Sequence, residues 1–147
     1  EERRDTTSSG KLSAFVAYAA RPAAAVKGDY FRRYFADTTL NEEWVTASLR
    51  GFNSSDAAAL TLPFLVPALD SLPWIQRNRR IFFLGSWLGS FIGGQRTGEA
   101  LREVDRFLAE HPRLPLDLRQ KVLQSRDDLE RTVRIRGKYA NGDVLTP

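Results

Sequence analysis

Residues 77–96 read RNRRIFFLGSWLGSFIGGQR, and the fold turns on what this stretch is. Fourteen nearly uncharged residues, Ile81 to Gly94, lie between three arginines and the pair Gln95–Arg96. Gly85, Gly89 and Gly93 recur at every fourth position. A membrane span, a phosphate loop and a buried helix could each look like this. A span needs about 20 apolar residues to cross the hydrocarbon, and this run is shorter and bracketed by Arg. Residues 89–96, GSFIGGQR, have the glycine bracket of a phosphate loop, but Gln95–Arg96 stands where Lys–Ser/Thr must follow, and no strand precedes it. An apolar helix too short to span is normally buried in the centre of a domain. Its glycines then read as permitting close backbone approach, so Gly89→Leu is expected to destabilise by overpacking.

Outward from this segment, helical signals dominate. KLSAFVAYAA (11–20) puts Leu12, Phe15, Val16 and Ala19 on one face. Pro22 is placed to open a second helix in which Val26, Tyr30, Phe31 and Tyr34 share a side, although Gly28 weakens it. Asn41 can cap the next helix, with Glu42 and Glu43 at the positive end of its dipole, Leu40 and Val45 spaced as a staple, and Gly51 as terminator. Beyond Ser54 and Ser55, Pro63, Pro67 and Pro73 predict short helices or a kink. Thr97 caps a helix carrying Leu101, Val104 and Leu108 that Pro112 closes. The last helix aligns Leu118, Val122, Leu129 and Val133, and NGD (141–143) ends it. No stretch alternates with period two, so a sheet has no support. The pattern predicts an all-α fold of stacked antiparallel helices without a strict repeat. Its organisation is a disordered lead-in (1–10), one helical domain (11–140) and a tail (141–147).

The chain has 147 residues, enough for one domain. It carries a net charge of +4, with a surplus that is mostly Arg. Acidic and basic residues alternate in the C-terminal third, which describes a solvated helix face better than a nucleic-acid footprint. Without cysteine there are neither disulfides nor thiolate metal sites, which suits a cytoplasmic setting. The one histidine, His111, sits at a helix C-terminus, where capping outweighs metal ligation. Neither HExxH nor GxSxG occurs, and Asp127 and Asp128 lie beside Arg126 and Arg131 as surface ion pairs. No catalytic residue is therefore assigned. The chain starts without Met, which suggests a piece of something longer.

Arg77, Arg79 and Arg80, with Trp74 just before them, are the candidate binding residues. Guanidinium donors match carboxylate oxygens in pairs, and Trp74 could stack on a guanidinium or on a ligand. The alternative is a solvated loop, or arginines bonded to helix carbonyls.

Three segments taken together carry a resemblance: NEEWVTASLRGFN, then LTLPFLVPALDSLPWIQRNRRIFFLGSWLGSFIGGQ, then LPLDLRQKVLQSRDDLERTVRIR. They resemble the C-terminal end of bacterial zinc aminopeptidases related to aminopeptidase N and puromycin-sensitive aminopeptidase, across roughly residues 11–138. The resemblance implies a late, non-catalytic domain of HEAT-like helix pairs in an α-α superhelix. Such a domain packs on the catalytic domain in cis, closes over its cleft and walls a chamber for the peptide substrate. The zinc and its ligands lie upstream in such enzymes, so no cofactor is expected in this chain. In the parent enzyme Arg77, Arg79 or Arg80 would face the chamber and attract peptide carboxylates. A face freed from the catalytic domain would favour a dimer. Two other readings stay open: a free-standing helical scaffold for a partner protein, and a basic module binding nucleic-acid phosphates.

Overall fold

The computed structural model describes residues 8–140. The expected tail, the NGD stop and most of the expected lead-in fall outside them. The described residues are helical with no strand, as the periodicity predicts. Helix α1 (Ser8–Ala19) begins inside the expected lead-in, three residues before Lys11. It is followed by α2 (Ala24–Ala36) and α3 (Glu42–Phe52). Between residues 55 and 78 the prolines break the chain into pieces. Two single 3-10 turns alternate with α4 (Ala58–Thr61) and α5 (Leu65–Asp70), and α6 (Leu72–Asn78) turns away by 63°. The apolar stretch forms α7 (Ile81–Phe91), and α8 (Gly98–Glu110) and α9 (Leu116–Ala140) complete the fold.

Contacts between residue pairs fix the directions. Phe15 packs on Trp44 with ring centres 5.4 Å apart, and Val16 and Ala20 meet Gly51, so α1 and α3 run the same way. The Glu42 carboxylate accepts from the Arg80 backbone N–H at 3.1 Å, and Gly94 lies against the Asn53 carbonyl, so α3 and α7 are parallel too. The first turns of α7 and α9 share a groove lined by Ile81, Leu84, Asp117 and Lys121. Helix α8 runs against α9, with Asp105 bonded to Arg126 and the Leu108 carbonyl to Arg119, and along the broken segment, with Gln95 at Thr61 and His111 at Asp70. Helix α2 runs opposite to α1, α3 and α7, with Lys27 near Ala19 and Tyr30 near Phe15, Tyr34 bonded to Ser48, and Phe31 near Phe91 and Phe35 near Trp87. One row is thus α1, α3, α7 and α9, and a second holds α2, the broken segment and α8.

The core lies between the rows. Trp87 sits at its centre, buried against Phe91 at 4.4 Å and Phe35 at 5.6 Å, with its indole N–H donated to the Ala68 carbonyl at 3.0 Å. Burying an aromatic ring with its polar atom satisfied is worth several kcal/mol, on the order of 3–5 by truncation. Gln95 is buried and bonds Thr61, tying the end of the apolar stretch to the broken segment.

Helix α7 departs from the sequence expectation in one respect. It is not buried all round: Phe83, Leu84, Trp87, Leu88 and Phe91 face the core, whereas Ile81 is 78% and Phe82 87% exposed. Gly85 and Gly89 are exposed as well, and a Cβ added at either would meet nothing within 4 Å. The overpacking expected for Gly89→Leu therefore has no neighbour to act on. Close approach occurs instead at Gly93, where a Cβ would run into the Gly89 carbonyl oxygen, at Gly94, where it would stand 2.5 Å from the Asn53 carbonyl oxygen, and at Gly51, 3.2 Å from the Val16 carbonyl oxygen. Nor does Gly51 end α3, which runs one residue further. No single helix among the described residues is long and apolar enough to cross a membrane.

Candidate functional site

The predicted cluster at residues 74–80 divides into different environments. Arg79 belongs to the packing: its Nη2 donates to the Tyr34 carbonyl at 2.9 Å, and its guanidinium lies 5.5 Å from the Trp74 ring and 5.3 Å from Phe83. Its Nε is buried without a partner. Trp74 is half-buried and meets Phe35 edge-on at 5.3 Å, so of the two stacking roles expected of it, the structure brings it to a guanidinium. Arg77 and Arg80 are exposed, and neither guanidinium has a partner among the described residues. Arg80 overhangs a groove of about 380 Å³ between α6, α7 and α9. The residues are together in space, but only Arg77 and Arg80 are free to meet a ligand.

At the other end of α7 lies a polar cleft of about 500 Å³ that pattern reading missed. Because α3 and α7 are parallel, their C-terminal ends come together there. Arg50 enters from the last turn of α3, and Arg96 from the turn after α7. Ser54, Ser55 and Ser90 supply hydroxyls, and Gly89, Gly93 and Gly94 leave the α7 wall without side chains. Arg96 is held by its Nη1, which donates to the Gly93 carbonyl at 2.7 Å and the Gln95 carbonyl at 3.0 Å. Arg50 makes no hydrogen bond or ion pair among the described residues. Asn53 forms part of the lining and keeps its Oδ1 buried without a donor. The signal was present as two arginines at helix ends, but nothing local says that residues 50 and 96 line one cleft.

His111 behaves as expected of a helix end: it is exposed, its ring stacks on Phe107 at 4.2 Å, and its Nδ1 lies 2.8 Å from the Phe107 carbonyl oxygen. Asp127 pairs with Arg126 at 3.5 Å and Asp128 with Arg131 at 3.3 Å, both at the surface. No group of three or more His, Cys, Asp or Glu among the described residues is placed to hold a metal ion. Comparison with family models finds no match for this chain, and none of the curated proteins searched matches it.

Proposed function

We propose that the chain is the non-catalytic C-terminal helical domain of a zinc aminopeptidase, built of HEAT-like helix pairs that cover the catalytic cleft and wall its peptide chamber. The whole-segment likeness to that family supports this reading. The observation that carries it on the structural side is the opposed direction of the two helix rows, because stacked helix pairs place alternate helices in alternate layers. In the full enzyme the zinc, held by another domain, would supply the water that attacks the first peptide bond. This domain would restrict access, and Arg77 and Arg80, the unpaired members of the arginine cluster, would attract the carboxylates of the peptide.

The test uses the full-length enzyme. Joint replacement Arg77→Ala and Arg80→Ala, with Arg79 left to hold the packing, is expected to alter peptide kinetics and length preference. Unchanged kinetics and length preference would remove the arginines from the chamber. A reading frame without HExxH upstream of Glu1 would overturn the domain assignment itself. One observation favours a second reading, a scaffold for a partner protein: Ile81 and Phe82 project from the start of α7 with almost no cover.

A further inference from the structure

We propose that the cleft between the C-terminal ends of α3 and α7 is a binding site for an oxyanion group, a carboxylate or a phosphate, held between Arg50 and Arg96. This does not depend on the aminopeptidase reading. The cleft is lined by two guanidinium groups and no acidic residue. Several other arginines find carboxylates, as Arg126 bonds Asp105 and Glu130, Arg106 bonds Glu103 and Arg33 bonds Asp37, whereas neither arginine of the cleft has one among the described residues. Two helix C-termini do converge on the cleft, but each contributes only about half a negative charge, against a full positive charge on each arginine. The balance stays positive, by roughly one charge.

The geometry of Arg96 also suits the role. Its Nη1 is occupied by the two carbonyls, which fixes the plane of the guanidinium. The edge formed by Nε and Nη2 has no partner among the described residues. That edge is one that grips a carboxylate or phosphate through two parallel N–H bonds. The hydroxyls of Ser54, Ser55 and Ser90 have no hydrogen bond among the described residues and can donate to further ligand oxygens. Gly89 completes the argument from space. Glycine in a solvent-facing helix turn weakens the helix, and no neighbour requires it here. What its missing side chain provides is an open cleft.

The test is a titration of the 147-residue chain with N-acetyl-dialanine, with the C-terminal amide of that peptide and with inorganic phosphate, followed by the backbone amide shifts of Gly93 and Gly94. Saturable shifts are expected with at least one of the two anions and none with the amide; which anion saturates identifies the group. Arg50→Gln is expected to weaken binding about tenfold, equivalent to the loss of one charge-assisted contact. Arg77→Gln, at the far end of α7, should leave it unchanged. Gly89→Leu should abolish binding without lowering the thermal midpoint, which separates a filled cleft from an unfolded chain. Arg96→Gln also removes carbonyl bonds, so the decisive variant is Arg50→Gln, since the Arg50 guanidinium bonds nothing among the described residues. Equal response to acid and amide, no shift with either anion up to ~10 mM, or an unchanged affinity in Arg50→Gln overturns the proposal.

Discussion

Arg77, Arg79 and Arg80 differ by what surrounds them, and their replacement should separate them. Arg79 joins α6 to the Tyr34 carbonyl and packs between Trp74 and Phe83. Arg79→Ala should cost on the order of 2 kcal/mol, from a lost charge-assisted bond and lost ring contacts. Arg77→Ala should stay within about 0.5 kcal/mol of wild type, as surface substitutions do. Urea unfolding of both variants checks this, and equal losses would show that the packing of Arg79 carries no stability. The glycines divide in the same way. Gly85→Ala and Gly89→Ala should each stabilise by about 0.5–1 kcal/mol, because both sites are open and helical. Gly94→Ala should destabilise by on the order of 1–3 kcal/mol, since its Cβ would be driven into the Asn53 carbonyl. A thermal midpoint that falls in Gly85→Ala, or holds in Gly94→Ala, contradicts this division. Sequence spacing could not reveal it, because a glycine every fourth residue looks identical whether its strip meets a neighbour or solvent.

Elements were legible where their signals are local. Asn41 accepts from the Trp44 N–H at 2.9 Å and Thr97 from the Ala100 N–H at 3.2 Å, both as the sequence predicts. Pro63, Pro67 and Pro73 fragment their segment by removing donors and crowding the preceding turn. The start of α7 at Ile81 was legible from the end of the arginine run, but its cap was not, because Arg80 at the N-cap offers no side-chain acceptor. The cap comes from another helix: Glu42, on α3, accepts from the Arg80 N–H. A carboxylate at a helix N-terminus satisfies a free donor and complements the dipole. Glu42→Ala should therefore cost about 1 kcal/mol, with faster amide exchange in the first turn of α7. Protection of those amides equal to wild type would mean that solvent replaces the cap at no cost. The same bond joins the N-terminal ends of α3 and α7, which pack in parallel, and the parallel pairing is why Arg50 and Arg96 line one cleft. The cleft follows from tertiary pairing, which no local pattern records.

At the scale of the whole molecule, the inter-row layer carries polar groups that helix periodicity treats as surface or ignores. Lys27 is 0% exposed, donates to the Ala19 carbonyl at 2.7 Å at the end of α1, and lies 5.1 Å from the Phe52 ring. It has no carboxylate partner among the described residues, and burial lowers its pKa below 10.5. Tyr30 bonds the Phe15 carbonyl, Tyr34 bonds Ser48, and burial pushes both phenols above 10.0. These shifts act on stability with opposite signs. Between the lowered value of Lys27 and 10.5 the unfolded chain keeps a proton that the folded chain has released, so stability from this group rises with pH. Above 10.0 the unfolded tyrosines ionise while the folded ones stay neutral, so stability from them falls as pH rises. Urea unfolding from about pH 7 to about pH 11 should show these opposing slopes in the wild type. Lys27→Met, of similar length and without charge, should remove the rise, and at neutral pH it should be neutral or stabilising, because the apolar replacement avoids the desolvation of an unpaired ammonium. Tyr34→Phe should reduce the fall, at the cost of leaving Ser48 with only the Val45 carbonyl as partner. A Lys27→Met profile with the wild-type slope below pH 10.5 would mean that the lysine keeps its proton inside the fold. The Ala19 carbonyl and the Phe52 ring would then suffice to hold a buried charge.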